Sequence, residues 1–277
     1  MHPDIDPPDP VVPSLCVVIA TCNRPGTLID AVRSVLRQEG VSVEVIVVDD
    51  SRDHTAAGPI EALGDPRIRY VVNPSPSNGR PAIARNIGLG LAEAETIHCL
   101  DDDDLVPAGY YADALAVLAA HPAIGAVFGI IEPFGAVDAD LVEERRYFDR
   151  ATARARRCAR WDSRWVFTAA MVFGPTMLVC GAGIIRRKVA QAIGGFDTAM
   201  PLMEDVDFYT RAMREGGVRF LDRPALRYRI HSSLMRQPHR LALIEESYRQ
   251  SQRRYRERRG RVEFVTLKIL ARGLRLN

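Results

Sequence analysis

Four consecutive aspartates, Asp101 to Asp104, close the uncharged run Thr96-Ile97-His98-Cys99-Leu100. Carboxylates this close repel one another and raise each other's pKa, whereas a hard divalent cation bridged to phosphate oxygens turns the same cluster into a binding site. Metal and phosphate chemistry is the reading that uses all four. Part of the cluster has a simpler use, since aspartates also cap helices, and Asp104 is placed to cap a helix entering at Pro107. Two further acidic groups stand apart from it, Asp49-Asp50 and Glu204-Asp205-Val206-Asp207.

The elements that must position these carboxylates follow from periodicity. Leu15 to Ala20 and Val43 to Val48 read as buried strands, and Thr27 to Gln38 between them carries an apolar helical face. A third strand at Ile68 to Val72, a helix at Pro81 to Ala94 with proline in its first turn, and a fourth strand at Thr96 to Leu100 continue the alternation. A helix at Tyr110 to Ala120 and a strand at Ile124 to Ile130 follow. The pattern predicts an α/β fold with a mostly parallel central sheet and helices on both faces. In such sheets ligands gather beyond the carboxyl ends of the strands, where Asp50 and Asp101 to Asp104 lie. They are expected to line one crevice.

Composition removes several classes. A formal charge of +2 over 277 residues does not describe a polyanion binder, so no nucleic-acid partner is expected. The charge is uneven, with twelve Lys and Arg against four Glu from Arg236 to Asn277, so a basic tail follows an acidic body. Five cysteines without CxxC or zinc-type spacing read as free thiols in a reducing, cytoplasmic setting. Residues 1–13, rich in Asp and Pro, read as a disordered arm without the features of a secretory signal. Trp165 to Ile185 is uncharged and long enough to span a bilayer, but Gly174-Pro175 and Gly181-Ala182-Gly183 divide it into short pieces that suit a buried core. No GxGxxG follows the first strand and no Walker loop is present, so a nucleotide would be held by carboxylates, metal and arginines.

Several motifs, in this order and spacing, resemble an inverting nucleotide-sugar glycosyltransferase of the GT-A fold, family 2. They are Val17-Val18-Ile19-Ala20-Thr21-Cys22-Asn23-Arg24-Pro25, Val47-Val48-Asp49-Asp50-Ser51, Asn78-Gly79-Arg80-Pro81 with Ala84-Arg85-Asn86, Leu100 to Pro107 around a DxD-type metal motif, Gly194-Gly195-Phe196-Asp197, and Met203-Glu204-Asp205-Val206-Asp207. The similarity runs from about Leu15 to His231. It implies a catalytic domain over residues 14–235, a basic helical extension over 236–277, a Mn²⁺ or Mg²⁺ cofactor and a nucleoside-diphosphate sugar donor, most readily a UDP-sugar.

The resemblance also assigns roles. Asp103 is the expected metal ligand, with Asp101 and Asp102 beside it on ribose or sugar hydroxyls or on water, and His231 a further candidate ligand. Asp50 matches a residue that accepts a hydrogen bond from the base, with Ala20 and Thr21 as the wall against it and Arg24 in the adjoining loop. Arg80 or Arg85 would balance the diphosphate. A carboxylate must also remove the acceptor proton. Asp205 is the expected general base, and Glu204 and Asp207 compete for that role.

Two segments stay open. Glu143 to Arg164 carries eight arginines and reads either as a lid or docking surface for an anionic acceptor or as a solvated helix face paired with Glu143, Glu144 and Asp149. The helix-like stretch Leu241 to Arg261 and the apolar residues after it suit peripheral contact with an anionic membrane surface, packing against the catalytic domain, or a homodimer. The acceptor, a saccharide, a lipid-linked molecule or a small molecule with a free hydroxyl, has no motif of its own. Two rival classes are a non-catalytic nucleotide-sugar-binding or scaffold protein of the same fold and a nucleotidyltransferase. The second lacks its glycine-rich loop, because Thr21-Cys22-Asn23-Arg24-Pro25-Gly26 does not match one.

Overall fold

In the computed structural model, which describes residues 13–77, 79–135, 139–230 and 238–276, the sequence periods become alternating strands and helices. The chain runs β1 (Leu15–Thr21), α1 (Pro25–Leu36), β2 (Val43–Asp49), α2 (Ala57–Glu61), β3 (Ile68–Val72), α3 (Pro81–Leu91), β4 (Thr96–Asp101) and α4 (Tyr110–Ala120). It continues through β5 (Ala126–Phe134), α5 (Ala139–Ala159), α6 (Arg164–Phe173), a 3-10 turn at Cys180–Ala182 and β6 (Gly183–Arg186). The last elements are α7 (Arg187–Ala192), α8 (Glu204–Gly216), β7 (Val218–Arg229) and α9 (Pro238–Gly273).

These strands form one sheet in the order β3-β2-β1-β4-β6-β5-β7. The first four are parallel, β6 runs antiparallel to both β4 and β5, and β7 is parallel to β5. Leu15 to Ile19 are all buried, and because side chains alternate along a strand, that burial requires cover on both faces. Helix α3 approaches β1 closely, since a Cβ on Gly88 would lie 2.2 Å from Val18 Cγ1. Gly88 therefore serves helix packing, while a Cβ on Gly90 would meet nothing within 4 Å.

Register brings the carboxylates together. Ala20 pairs with Val48 on one side and with Asp101 on the other, and Thr21 pairs with Asp49, so β1, β2 and β4 end level. Asp50 and Asp101 to Asp104 consequently leave the sheet on either side of Thr21.

The uncharged stretch Trp165 to Ile185 is core: α6 buries Val166 to Val172, and no helix among the described residues is long and apolar enough to cross a membrane. One expectation is corrected, because α4 begins at Tyr110 behind Gly109 in a left-handed conformation, and Asp104 caps nothing there. Asp104 is instead fully buried and accepts the Arg229 backbone N–H at 2.8 Å, tying the end of β7 to the acidic loop. The arm at residues 1–12 lies outside the described residues.

The basic extension lies against the body. Phe264 of α9 packs edge-on against Phe173 of α6 at 5.0 Å, and Tyr248 donates to the Val172 carbonyl at 2.7 Å. Arg214 of α8 forms a two-pronged ion pair with Glu263 at 2.9 Å. In the arginine-rich α5, Arg154 is buried and donates to the Pro175 carbonyl, Arg156 pairs with Asp222, and Arg157 donates to the Arg275 carbonyl. These three brace the fold.

Candidate active site

A cleft of about 480 Å³ opens beyond the level ends of β1, β2 and β4. Of the residues singled out in the sequence, Ala20, Thr21, Arg24, Asp50, Arg80, Arg85, Asp101, Asp102, Asp103 and Asp205 all line it. His231 lies outside the described residues.

The aspartate run divides its labour. Asp102 turns inward and accepts the Thr21 hydroxyl at 2.7 Å, and burial pushes its carboxyl up to about 6. Asp103 meets the guanidinium of Arg24 at 2.6 Å, and the same nitrogen stands 3.4 Å from Asp102. Asp101 accepts Arg85 at 2.5 Å. Burial, then the negative charges of Asp101 and Asp103, raise the Asp104 carboxyl well above the carboxylate range, and one of its oxygens is buried without a hydrogen-bond partner.

Asp50 occupies the opposite wall. It accepts from Asn73 Nδ2 at 2.5 Å, the Ser77 backbone N–H at 2.9 Å, the Ser77 hydroxyl at 2.7 Å and the Gly79 backbone N–H at 2.9 Å. Burial works against its charge, but these hydrogen bonds outweigh it and hold the carboxyl below its ordinary range. Four donors fill the acceptor capacity of a carboxylate. Asp50 thus orders the chain between β3 and α3, and a base N–H would have to share an oxygen with these donors.

Arg85 is the hub of the floor. Only 4 % exposed, it reaches Glu204 at 2.5 Å and Asp101 at 2.5 Å, and its guanidinium lies 5.3 Å from the Phe196 ring centroid. Burial opposes its charge, yet the surrounding Cys180, Asp101, Glu204 and Asp205 raise its pKa further, so it is always a cation. A guanidinium buried at such cost is retained where two carboxylates must be held together.

The three acidic residues at the start of α8 are separated by helical geometry. At 100° per residue Asp205 and Asp207 point to nearly opposite sides of the helix. Glu204 and Asp205 line the cleft. Asp207 turns away into an ion-pair lattice with Arg211 at 2.8 Å and Arg258 of α9 at 3.2 Å. Asp205 accepts the Cys180 backbone N–H at 3.0 Å and the Val206 N–H at 2.8 Å. Burial, followed by the neighbouring Glu204 carboxylate, pushes its carboxyl up to about 7. A carboxylate poised there can take a proton at neutral pH.

The fold brings further residues to the cleft that the sequence reading did not place there. Tyr228, Arg229 and Ile230 line the cleft from the end of β7, and Asp140 and Glu144 line it from α5. Arg229 donates to the Asp103 carbonyl at 2.7 Å. No periodic signal marks them, because β7 reaches the cleft through its pairing with β5 and a bridge between Leu105 and Arg227. Asp140 and Glu144, four residues apart, share a face of α5, and that i,i+4 spacing inside a basic helix was the available hint.

Among the described residues, no three His, Cys, Asp or Glu side chains converge as a ready metal cage. Mg²⁺-type sites, however, use one or two carboxylates together with substrate phosphates and water. Asp101 and Asp103 fit that donor set, and Arg24 already places a positive group on Asp103.

The family model described as glycosyl transferase family 2 matches residues 16–192, which covers β1 to α7 and ends before α8. ExoO, a succinoglycan biosynthesis protein of Rhizobium meliloti, is 41% identical over 95 residues, covering 34% of this chain and 27% of its own length. Among solved structures, the mannosyltransferase PcManGT of Pyrobaculum calidifontis, in complex with GDP-Man and Mn²⁺, superposes with a TM-score of 0.66 at 19% identity, over 95% of this chain and 70% of that one. S. aureus TarS 1-349 in complex with UDP-GlcNAc gives a TM-score of 0.60 at 17% identity, over 79% and 59%. The fold is thus the GT-A type, and the chain spans well under two thirds of its curated relative's length.

Proposed function

The chain belongs to glycosyl transferase family 2, and from that premise we propose that it transfers a sugar from a UDP-sugar to an acceptor hydroxyl with inversion. The observation that carries this reading is the convergence of three acidic sites, Asp50, Asp101 to Asp103 and Asp205, on one cleft with Arg24, Arg80 and Arg85 among them. A scaffold that had lost turnover would have no use for a carboxylate held near neutral pKa opposite a cation-binding cluster.

In this reading the diphosphate lies over Asp101 to Asp103. Asp103 and Asp101 would hold Mn²⁺ or Mg²⁺, and an ion there supplies Lewis-acid stabilisation of the charge that develops on the departing diphosphate. Arg24, more than half exposed at its side chain, swings from Asp103 toward the phosphates, and Arg80 approaches from the start of α3. Ala20 and Thr21 form the wall beside the base, and Asp50 fixes Ser77 and Gly79 across from it. Arg85 holds Glu204 and Asp101 at a fixed separation across the floor. Asp205 removes the acceptor proton as the oxygen attacks the face opposite the leaving group. The Cys180 N–H orients its carboxylate.

The acceptor is a saccharide, free or lipid-linked, whose hydroxyls meet the acidic wall of Asp140 and Glu144. That wall, together with the structural engagement of Arg154, Arg156 and Arg157, argues against an anionic acceptor docking along α5. The five unpaired cysteines suit a reducing, cytoplasmic setting.

The test is thermal stabilisation and turnover with nucleoside diphosphates and their sugars in Mn²⁺. Selective stabilisation by UDP and metal-dependent UDP release from one UDP-sugar are expected, because ligand binding to the folded state raises its stability. Absence of nucleotide binding would leave a scaffold. Preference for GDP would reassign the donor.

A further inference from the structure

We propose that the second half of α9 seats the protein on an anionic lipid bilayer surface. Gly260, with φ of 86°, breaks α9, and the segment from Arg261 to Gly273 presents two different faces. Leu267 and Ala271 are fully buried and Phe264 packs on Phe173, which defines the inner face. Val262, Val265 and Ile269 are 83 %, 44 % and 67 % exposed, a spacing of three and four residues that lines them along the outer face. Half of the large exposed hydrophobics among the described residues are these three.

Their neighbours on the outer face are Arg261, Lys268 and Arg272, all exposed. Glu263, the acid of this segment, is turned inward to Arg214 at 2.9 Å and to the Tyr255 hydroxyl at 2.7 Å. The outward face is therefore aliphatic along its crest and cationic along one flank.

This combination matches a helix lying in the headgroup layer, its aliphatic side chains among acyl chains and its cations on anionic lipid. A second copy of this chain fits less well. A two-fold contact sets a patch against itself, so in an antiparallel pair of these helices the row of Arg261, Lys268 and Arg272 would face its own copy. With no helix among the described residues able to cross a bilayer, the contact is peripheral. The proposal is independent of the reading of the cleft.

The experiment is co-sedimentation of the full chain with vesicles of phosphatidylcholine alone or of phosphatidylcholine mixed with phosphatidylglycerol, at low and high salt. Partition into the anionic vesicles is expected to be at least about tenfold stronger, and to collapse at high salt. Val262→Ser with Ile269→Ser is expected to weaken binding by about tenfold. Lys268→Gln with Arg272→Gln is expected to remove the preference for phosphatidylglycerol. A cooperative thermal melt within a few degrees of the wild type reports that these variants fold. Equal partition into both vesicle types would overturn the proposal. So would a concentration-dependent dimer that the serine substitutions dissolve.

Discussion

Replacing Asp205 by asparagine separates what this carboxylate costs the fold from what it does for transfer. Its carboxyl is raised from 3.8 to about 7, so above pH 4 the folded protein holds a proton that the unfolded chain has released. Stability therefore falls as pH rises from about 4 to 7 and stays reduced above that, the sign opposite to that of a salt-bridged aspartate. Between pH 5 and pH 7 two pH units correspond to at most about 2.7 kcal/mol, and water reaching this half-buried group at the cleft reduces it to about 1–2 kcal/mol. Asparagine does not titrate. It forfeits one of the two backbone hydrogen bonds from Cys180 and Val206, a loss of about 1 kcal/mol that is the same at every pH. The change in the difference between variant and wild type from pH 5 to pH 8 is thus free of that loss. Thermal melts at the two pH values are expected to show Asp205→Asn gaining about 2–8 °C on the wild type as pH rises, at about 2–4 °C per kcal/mol for a chain of this size. In parallel, wild-type transfer is expected to rise with pH through an inflection near 7. The variant loses about 10²–10⁴-fold in turnover with donor binding nearly unchanged. A melting difference that does not move between pH 5 and pH 8 would refute the raised pKa, and comparable transfer by the variant would refute the base assignment.

Three other outcomes follow from the same geometry. Asp103→Ala is expected to abolish the Mn²⁺-dependent part of UDP stabilisation, which at a hundredfold excess over Kd is about 2.7 kcal/mol, as read by thermal shift with and without chelator; undiminished stabilisation would remove Asp103 from the metal set. Gly88→Ala places a methyl 2.2 Å from Val18 Cγ1 and is expected to lower stability by about 1–3 kcal/mol, visible as a lower urea midpoint at unchanged slope. Arg258→Met removes the link from α9 to Asp207 at 3.2 Å and to Asp197 at 2.7 Å, while Arg211 and Arg254 keep those carboxylates paired. Its stability loss is expected to be only about 1 kcal/mol because Arg258 is partly exposed, whereas kcat falls several-fold as α8 loosens; an unchanged kcat would show that α9 does not position Asp205.

The line from sequence to site is shortest where local periodicity decides. Continuous apolar runs before Asp49-Asp50 and before Asp101 predict parallel buried strands, and parallel strands of similar length end together, so those carboxylates meet. Gly174-Pro175 inside an uncharged stretch likewise carried its meaning locally, as an interrupted core. The motif order from Val17 to Asp207 was enough to recognise the family and its GT-A fold.

Other assignments needed the third dimension. Asp101 to Asp104 are chemically identical in sequence, yet Asp104 is buried on the Arg229 N–H, Asp102 on the Thr21 hydroxyl, and Asp101 and Asp103 meet Arg85 and Arg24. The turn after β4 sets those directions, not the residue type. Glu204, Asp205 and Asp207 were alike as candidates until the rotation of α8, fixed by its packing and by the Arg211 and Arg258 ion pairs, turned Asp207 away from the cleft. Arg229 entered the site only because β7 pairs with β5 at the far side of the sheet. Sequence by itself determined which elements form and where carboxylates leave them, because strand and helix periods are local properties of the chain. Which oxygens face the cleft, and which are consumed by the fold, was decided by tertiary packing, because a side chain's direction and partners depend on residues a hundred positions away.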